Sequence, residues 1–207
     1  MSGFFCAEGP EYCPTCRTIW YHCVMKIFIL RWNPAISSWT DGKFREALVA
    51  CREGPFAMDW SIRDWESVEY GDIAVLCRVG TDADGIVAVG WFDGRVEESQ
   101  SWRRDGTKCH YAFFWMRLAQ DPVETGLLSA AVLEKAVPGI GWHGGHSGIV
   151  LPSESAPALA RIIAEALERG PILPGAANFE CRLRFGCKDP WSPVDFDAIA
   201  DFHANGF

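Results

Sequence analysis

The sequence predicts an α+β fold, and three observations predict it. From Trp60 to Asp93 the chain reads WSIRDWESVEYGDIAVLCRVGTDADGIVAVGWFD. A Gly-Asp pair opens one run of small and β-branched residues, a polar Asp/Gly turn follows, and a second run ends in Gly-Trp, which is the pattern of a hairpin. Lys108 to Arg117 is a long aromatic run that alternates with period two. Two further segments carry apolar residues at helical spacing, each behind a capping residue and before a Gly-Pro stop.

The elements follow in order. Lys26 to Trp32 is rich in Ile, Phe and Leu and reads as a strand, ended by Asn33-Pro34 because proline cannot continue a central strand. Asp41 is expected to cap a helix running to Glu53, with Phe44, Ala47, Leu48 and Cys51 on one face and Gly54-Pro55 as its stop. Ile73 to Val79 and Ile86 to Phe92 form the hairpin around Thr81-Asp82-Ala83-Asp84-Gly85. Arg95 to Trp102 reads as a separate edge strand, and Arg104-Asp105-Gly106-Thr107 as a second turn. In the strand after it, Tyr111, Phe113 and Trp115 share one face, with His110, Phe114 and Met116 biased to the other. Gly126 to Lys135 reads as a short helix. Ser153 or Ser155 caps a longer one, with Pro157 in its first turn, a core stripe of Leu159, Ile162, Ile163, Ala166 and Leu167, and Gly170-Pro171 as its stop. A strand is expected near Phe179 to Phe185, and the tail beyond Asp189 is expected to be peripheral. The chain thus divides into a Cys-containing N-terminal extension or leader (1–24), a main domain (25–170) and a C-terminal extension (171–207).

Composition bounds function. The 207 residues suffice for one good core, and 49% of them are hydrophobic. The formal charge of −8 argues against a protein held on DNA mainly by phosphate contacts, which need clustered Lys and Arg. Arg95, Arg103, Arg104 and Lys108 do cluster at one hairpin tip, where a solvated tip is the plainer reading. Any nucleic-acid role therefore rests on a local patch or a nucleotide-sized ligand. No secretory pattern opens the chain, and the apolar run from Ile19 to Leu30 is short and interrupted by His22 and Lys26. A cytoplasmic protein with reduced thiols is expected, with no role at a membrane. Cys51, Cys77, Cys109, Cys181 and Cys187 fall in or near apolar segments and read as core filler. Residues 1–24 leave two readings open: a zinc knuckle on Cys6, Cys13, Cys16 and Cys23 (or His22), or a leader upstream of Met25. One CxxC pair alone is weak evidence for zinc.

Patterns for catalysis are thin. His143-Gly144-Gly145-His146 has histidines three apart, but the glycines between them make a loop, and no third ligand accompanies them. The glycines of this region match neither GxGxxG nor a Walker motif. Ser147 lies in HSG rather than GxSxG, and the adjacent Cys109 and His110 point to opposite faces of a strand. No catalytic residue and no cofactor is expected. The aromatic-polar set is richer. Trp32, Asn33, Trp39, Trp60, Ser61, Arg63 and Trp91 lie at strand ends and loop starts, where Trp offers a planar face to a base and Asn or Ser its edge. The plainer reading is that these rings fill the core, since ten tryptophans must largely be buried.

Several of these segments resemble, in the same order, the EVE-type domains of the PUA-like superfamily. RWNP with Trp39 is similar to that family's opening strand and turn, and Trp60-Ser61 to its Trp-containing segment. GDIAVLCRVG and GIVAVGWF are similar to its central hairpin, and Trp142 with Ser147-Gly148-Ile149 to its close. The resemblance spans about residues 26 to 168. It implies a PUA-like open mixed β-barrel with flanking helices, acting as a recognition module for a modified nucleobase, often derived from cytosine and here favoured in DNA. Carried over residue by residue, the base-binding candidates are Asn33, Trp39, Trp60, Ser61, Trp91, Trp142 and Ser147, to which the residue reading adds Arg63. Family members occur alone or joined to nuclease or ATPase modules. This chain shows no HNH or P-loop pattern, so such an effector is expected as a separate partner. The alternatives are a cytoplasmic protein–protein interaction domain on the same scaffold and, behind it, a hydrolase with an unrecognised site.

Overall fold

A computed structural model describes residues 26–123 and 126–170, together with 173 and 176. The expected extension 1–24, the possible zinc ligands within it, and the strand expected near Phe179 lie outside the described residues.

Within them the chain is a mixed α+β protein built on one seven-stranded, mostly antiparallel sheet. The strands are β1 (Ile27–Trp32), β2 (Phe56–Ser61), β3 (Ile73–Arg78), β4 (Gly85–Gln100), β5 (Lys108–Ala119), β6 (Leu128–Ser129) and β7 (Ile149–Val150). The helices are α1 (Asp41–Glu53), α2 (Ala130–Ala136) and α3 (Ala156–Arg169). The strand order is β2-β5-β4-β3-β1-β7, with β6 paired to β4. Only β1 and β3 pair in parallel, from Ile27 opposite Ile73 to Trp32 opposite Arg78.

The two faces of this sheet carry two cores. Ile27, Ile29, Ile73, Val75 and Cys77 pack with Leu133 of α2, with Leu159 and Ile163 of α3, and with Trp142. Phe28, Leu30, Trp32, Ala74 and Leu76 pack with Phe44, Ala47 and Cys51 of α1. Alternate side chains point to opposite faces, so a strand covered on both sides is apolar at nearly every position. This is why IFILRW and IAVLCR are buried throughout. Leu173 and Ala176 pack against the α2–α3 core.

The sheet is not closed into a barrel, because β2 and β7 end the strand order without pairing. A bridge spans that gap at one point. Arg63 N–H donates to the Ser147 carbonyl (3.2 Å), Asp64 N–H donates to the Gly148 carbonyl (2.9 Å), and Val150 N–H donates to the Asp64 carboxylate (2.8 Å). Gly148 makes the approach possible. Its φ is +70°, and a Cβ there would stand 2.4 Å from Ile62 Cα.

Other expectations are adjusted in detail. Arg95 to Trp102 is not a separate strand, since β4 runs unbroken from Gly85 to Gln100 and absorbs Asp93-Gly94-Arg95 as a register shift against β5. β2 is a strand that the sequence reading left unassigned, although FAMDWS alternates half-buried and exposed positions over its first four residues. Thr40, not Asp41, caps α1, its hydroxyl accepting from Lys43 N–H. α2 begins four residues later than Gly126 because Leu128–Ser129 first pairs with β4. In α3 the buried stripe contains Ala164 in place of Ala166. In β5 the core face carries Ala112, Phe114, Met116 and Leu118, as its alternation requires, and leaves Tyr111, Phe113 and Trp115 half-buried. Among the described residues no helix is long and apolar enough to cross a membrane.

Candidate functional site

A cavity of about 840 Å³ opens at the carboxyl ends of the parallel pair β1–β3. That is within the roughly 300–1,000 Å³ typical of small-molecule sites. Its walls come from the end of β1 and the following turn (31–39), the length of β2 and its extension (56–63), the β3 exit (79–80), the β4–β5 hairpin (101–111) and the loop 143–147.

One wall is a chain of aromatic rings. Trp60 on β2 meets Trp39 edge to face at 5.6 Å, Trp39 meets Trp32 at 5.1 Å, and Trp32 stacks on Phe44 of α1 at 5.1 Å. Two polar bonds hold these rings. Trp32 Nε1–H donates to the Trp39 carbonyl (2.6 Å), and Trp60 Nε1–H donates to Ser147 Oγ (2.9 Å). Ser147 Oγ also accepts from the Arg31 backbone N–H at 2.9 Å, so one hydroxyl fixes β1, β2 and the loop together. A ring whose single N–H is satisfied and whose edge is packed keeps a fixed orientation.

The polar side begins with Arg31, which is 8% exposed in an otherwise apolar strand. Its Nε donates to the Gly141 carbonyl (3.0 Å) and its Nη1 to the His146 carbonyl. Burial pulls the guanidinium below the ordinary arginine value, and the neighbouring Cys77 acts in the other direction. Arginine nevertheless stays protonated in proteins. Asn33 accepts from Ala35 N–H at 3.0 Å and packs against Gly80. Arg63 is 60% exposed and faces Asp64 at 3.7 Å.

His143 sits where the cavity meets the β3–β4 turn. Its Nδ1 lies 3.0 Å from Asp84 and its Nε2 lies 3.3 Å from Glu134. Asp84 is buried, which by itself would raise its carboxyl. Hydrogen bonds from Thr81 N–H, the His143 ring, the Thr81 hydroxyl and Gly80 N–H outweigh burial and hold it below the usual carboxylate range. The thiols are quiet: burial pushes Cys77 up to about 12 and Cys51 up to about 11, so both are neutral thiols at pH 7. Cys109 lines the cavity beside Tyr111, whose phenol burial pushes up to about 12 and whose hydroxyl donates to the Gln100 carbonyl. No group of three His, Cys, Asp or Glu side chains among the described residues is placed to hold a metal ion.

Six of the eight residues singled out from the sequence meet at this cavity: Asn33, Trp39, Trp60, Ser61, Arg63 and Ser147. Trp91 and Trp142 do not line it. Trp91 is 3% exposed on β4 opposite Ile73 and Trp115. Trp142 is 1% exposed in the α2–α3 core, its Nε1–H donating to the Val137 carbonyl at 3.0 Å. Both are placed as packing rings by the sheet pleat and by the turn after α2. The reading missed Arg31, Trp102, Tyr111 and His143 as cavity residues. Arg31 carried a signal, because a lone arginine in IFILRW is out of place unless something polar awaits it.

Fold and site together define a single-sheet α+β protein with a ligand-sized cavity, aromatic on one wall and polar on the other. No family model, curated protein or solved structure matches the chain.

Proposed function

We propose that the cavity binds a nucleobase, with a modified cytosine as the favoured ligand, and that the protein is a recognition module of PUA-like, EVE-type character. The observation that carries this reading is the fixed pair Trp39–Trp60 on the wall of an 840 Å³ cavity that also presents Asn33, Ser61 and Ser147. A base leaving its stack needs a planar surface and a few edge-directed donors and acceptors, and this wall offers both. The bridge between Arg63-Asp64 and Ser147-Gly148 supports an open-barrel reading of the sheet, since it links the two ends of the strand order beside the cavity.

Titration with short oligonucleotides carrying cytosine, 5-methylcytosine or 5-hydroxymethylcytosine, single- and double-stranded, tests the proposal. One modified base should be preferred. Trp60→Ala should weaken its binding about five- to 150-fold, the equivalent of roughly 1–3 kcal/mol of stacking, while the protein stays folded. Absence of binding by any oligonucleotide or free nucleoside at millimolar concentration sinks the reading. A separate nuclease or ATPase that acts on the bound nucleic acid is the partner this reading proposes.

A further inference from the structure

Arg31 lines the cavity as a buried cation without a counter-ion. It forms no ion pair among the described residues, and its β3 partner Cys77 is a neutral thiol at pH 7. Two of its three guanidinium nitrogens are engaged by the carbonyls of Gly141 and His146, while Nη2 donates to nothing among the described residues. Nη2 is not sealed off either, unlike Nε of Arg78. Burying a positive charge is costly unless an opposite charge reaches it.

The loop in front of Arg31 is polarised the same way. The carbonyls of Gly141, His146, Ser147 and Gly148 all accept bonds from the protein. The backbone N–H groups of His143, Gly144, Gly145 and His146 donate to nothing among the described residues. Successive unpaired N–H groups in a glycine-rich turn make an anion-binding concavity. The guanidinium lies directly behind this backbone, since a Cβ on Gly145 would stand 3.5 Å from Arg31 Cζ. Gly144 has nothing within 4 Å of its Cβ position, so that side of the turn is open. Arg103 and Arg63, the latter facing Asp64, add positive charge to the same cavity; its own acidic residues, Asp59 and Asp105, belong to β2 and the β4–β5 hairpin, and Asp84 and Glu134 are taken up by the His143 ring.

From this we infer that Arg31 and the 143–147 backbone form a phosphate subsite of the cavity, so that its ligand is a nucleotide rather than a free base. The phosphate half stands on Arg31 and the loop, and the base half rests on the reading of the Trp39–Trp60 wall given above. A phosphate oxygen would accept from Nη2 and from the loop N–H groups, charge-assisted bonds that are stronger than neutral ones.

Calorimetric titration at low salt with 5-methylcytidine, its 5′-monophosphate and inorganic phosphate tests this. The monophosphate should bind at least about tenfold more tightly than the nucleoside, and inorganic phosphate should compete with the monophosphate but not with the nucleoside. In Arg31→Gln that advantage should fall below about twofold. Gly144→Glu should do the same without lowering the melting temperature, because its side chain enters open space and sets a carboxylate against the subsite. This second variant keeps the test decisive if Arg31→Gln fails to fold. Equal binding of nucleoside and monophosphate, or no competition by inorganic phosphate, overturns the subsite. Phosphate binding that both variants abolish, with no nucleoside binding, upholds the subsite and removes the base reading. No binding by any of the three removes both.

Discussion

Ser147 accepts from the Trp60 indole and from the Arg31 amide at once, 2.9 Å from each. Ser147→Ala leaves both donors without an acceptor in a partly buried place, a loss of about 1–3 kcal/mol for each group left unsatisfied. Urea denaturation should register it, and ligand affinity should fall as well because Trp60 is released from its fixed orientation. Unchanged stability and affinity would show that water replaces the hydroxyl. Asp84 gives a pH prediction. Its folded value lies below the ordinary 3.8, so its stabilising contribution is complete above that value and is lost as pH falls through the lower folded value. Asp84→Asn should therefore be less stable than the parent at neutral pH, and the gap should narrow as pH falls below 3.8. A gap that does not change with pH contradicts the assignment.

At the scale of the element, β4 carries the sheet. It pairs with β3, β5 and β6, and its register against β5 shifts at Val89/Gly90 and again between Phe92 and Val96. Gly90 sits at the first shift, where a Cβ would stand 2.0 Å from the Trp115 carbonyl oxygen. Neither backbone can yield without breaking the ladder, so Gly90→Val should abolish folding or lower the melting temperature sharply by circular dichroism. Gly54→Ala, with φ of 179° and nothing within 4 Å, is the control that should melt close to the parent. Equal melting of the two variants would mean that β4 and β5 part at Gly90 at no cost. Trp91, the next residue along, was read as a base-binding ring and is placed as a packing ring. Trp91→Ala should accordingly cost stability, about 3–5 kcal/mol for a large buried aromatic, rather than affinity alone.

For the whole molecule, the charge of −8 and the small cationic rim of the cavity set how binding responds to salt. A protein that neutralises one or two phosphates of a single strand should show a slope of log K against log salt of about −0.7 to −1.4. Affinities measured across a tenfold range of salt check this, and a steep slope would place the nucleic acid on a broad basic surface instead of in the cavity. The parts of the fold legible in the sequence were those written in local pattern. IFILRW, IAVLCR and the alternating KCHYAFFWMR announce strands, and the spacing of Phe44, Ala47 and Cys51 and of Leu159, Ile162, Ile163 and Leu167 announces helices, although the first is capped by Thr40 and not by the expected Asp41. β6 and β7 were illegible because they are two residues each, and β2, as long as β1, because it is only half-buried and lacks a continuous apolar run; pairing rather than propensity makes them strands.

By itself, the sequence determined that the long apolar strands bury, which face of α1 and, but for one alanine, of α3 meets the sheet, and that aromatic rings would gather at strand ends in a chain of net negative charge. Only the tertiary structure decided which rings line the cavity. Trp60 and Trp91 look alike in sequence, yet one faces Ser147 across the open side of the sheet and the other is buried on β4 between β3 and β5. The difference comes from strand order and register, which depend on partners far away in the chain. The same holds for Arg31, whose chemistry depends on a loop more than a hundred residues later that turns the Gly141 and His146 carbonyls toward it and leaves the N–H groups of residues 143–146 without an acceptor among the described residues.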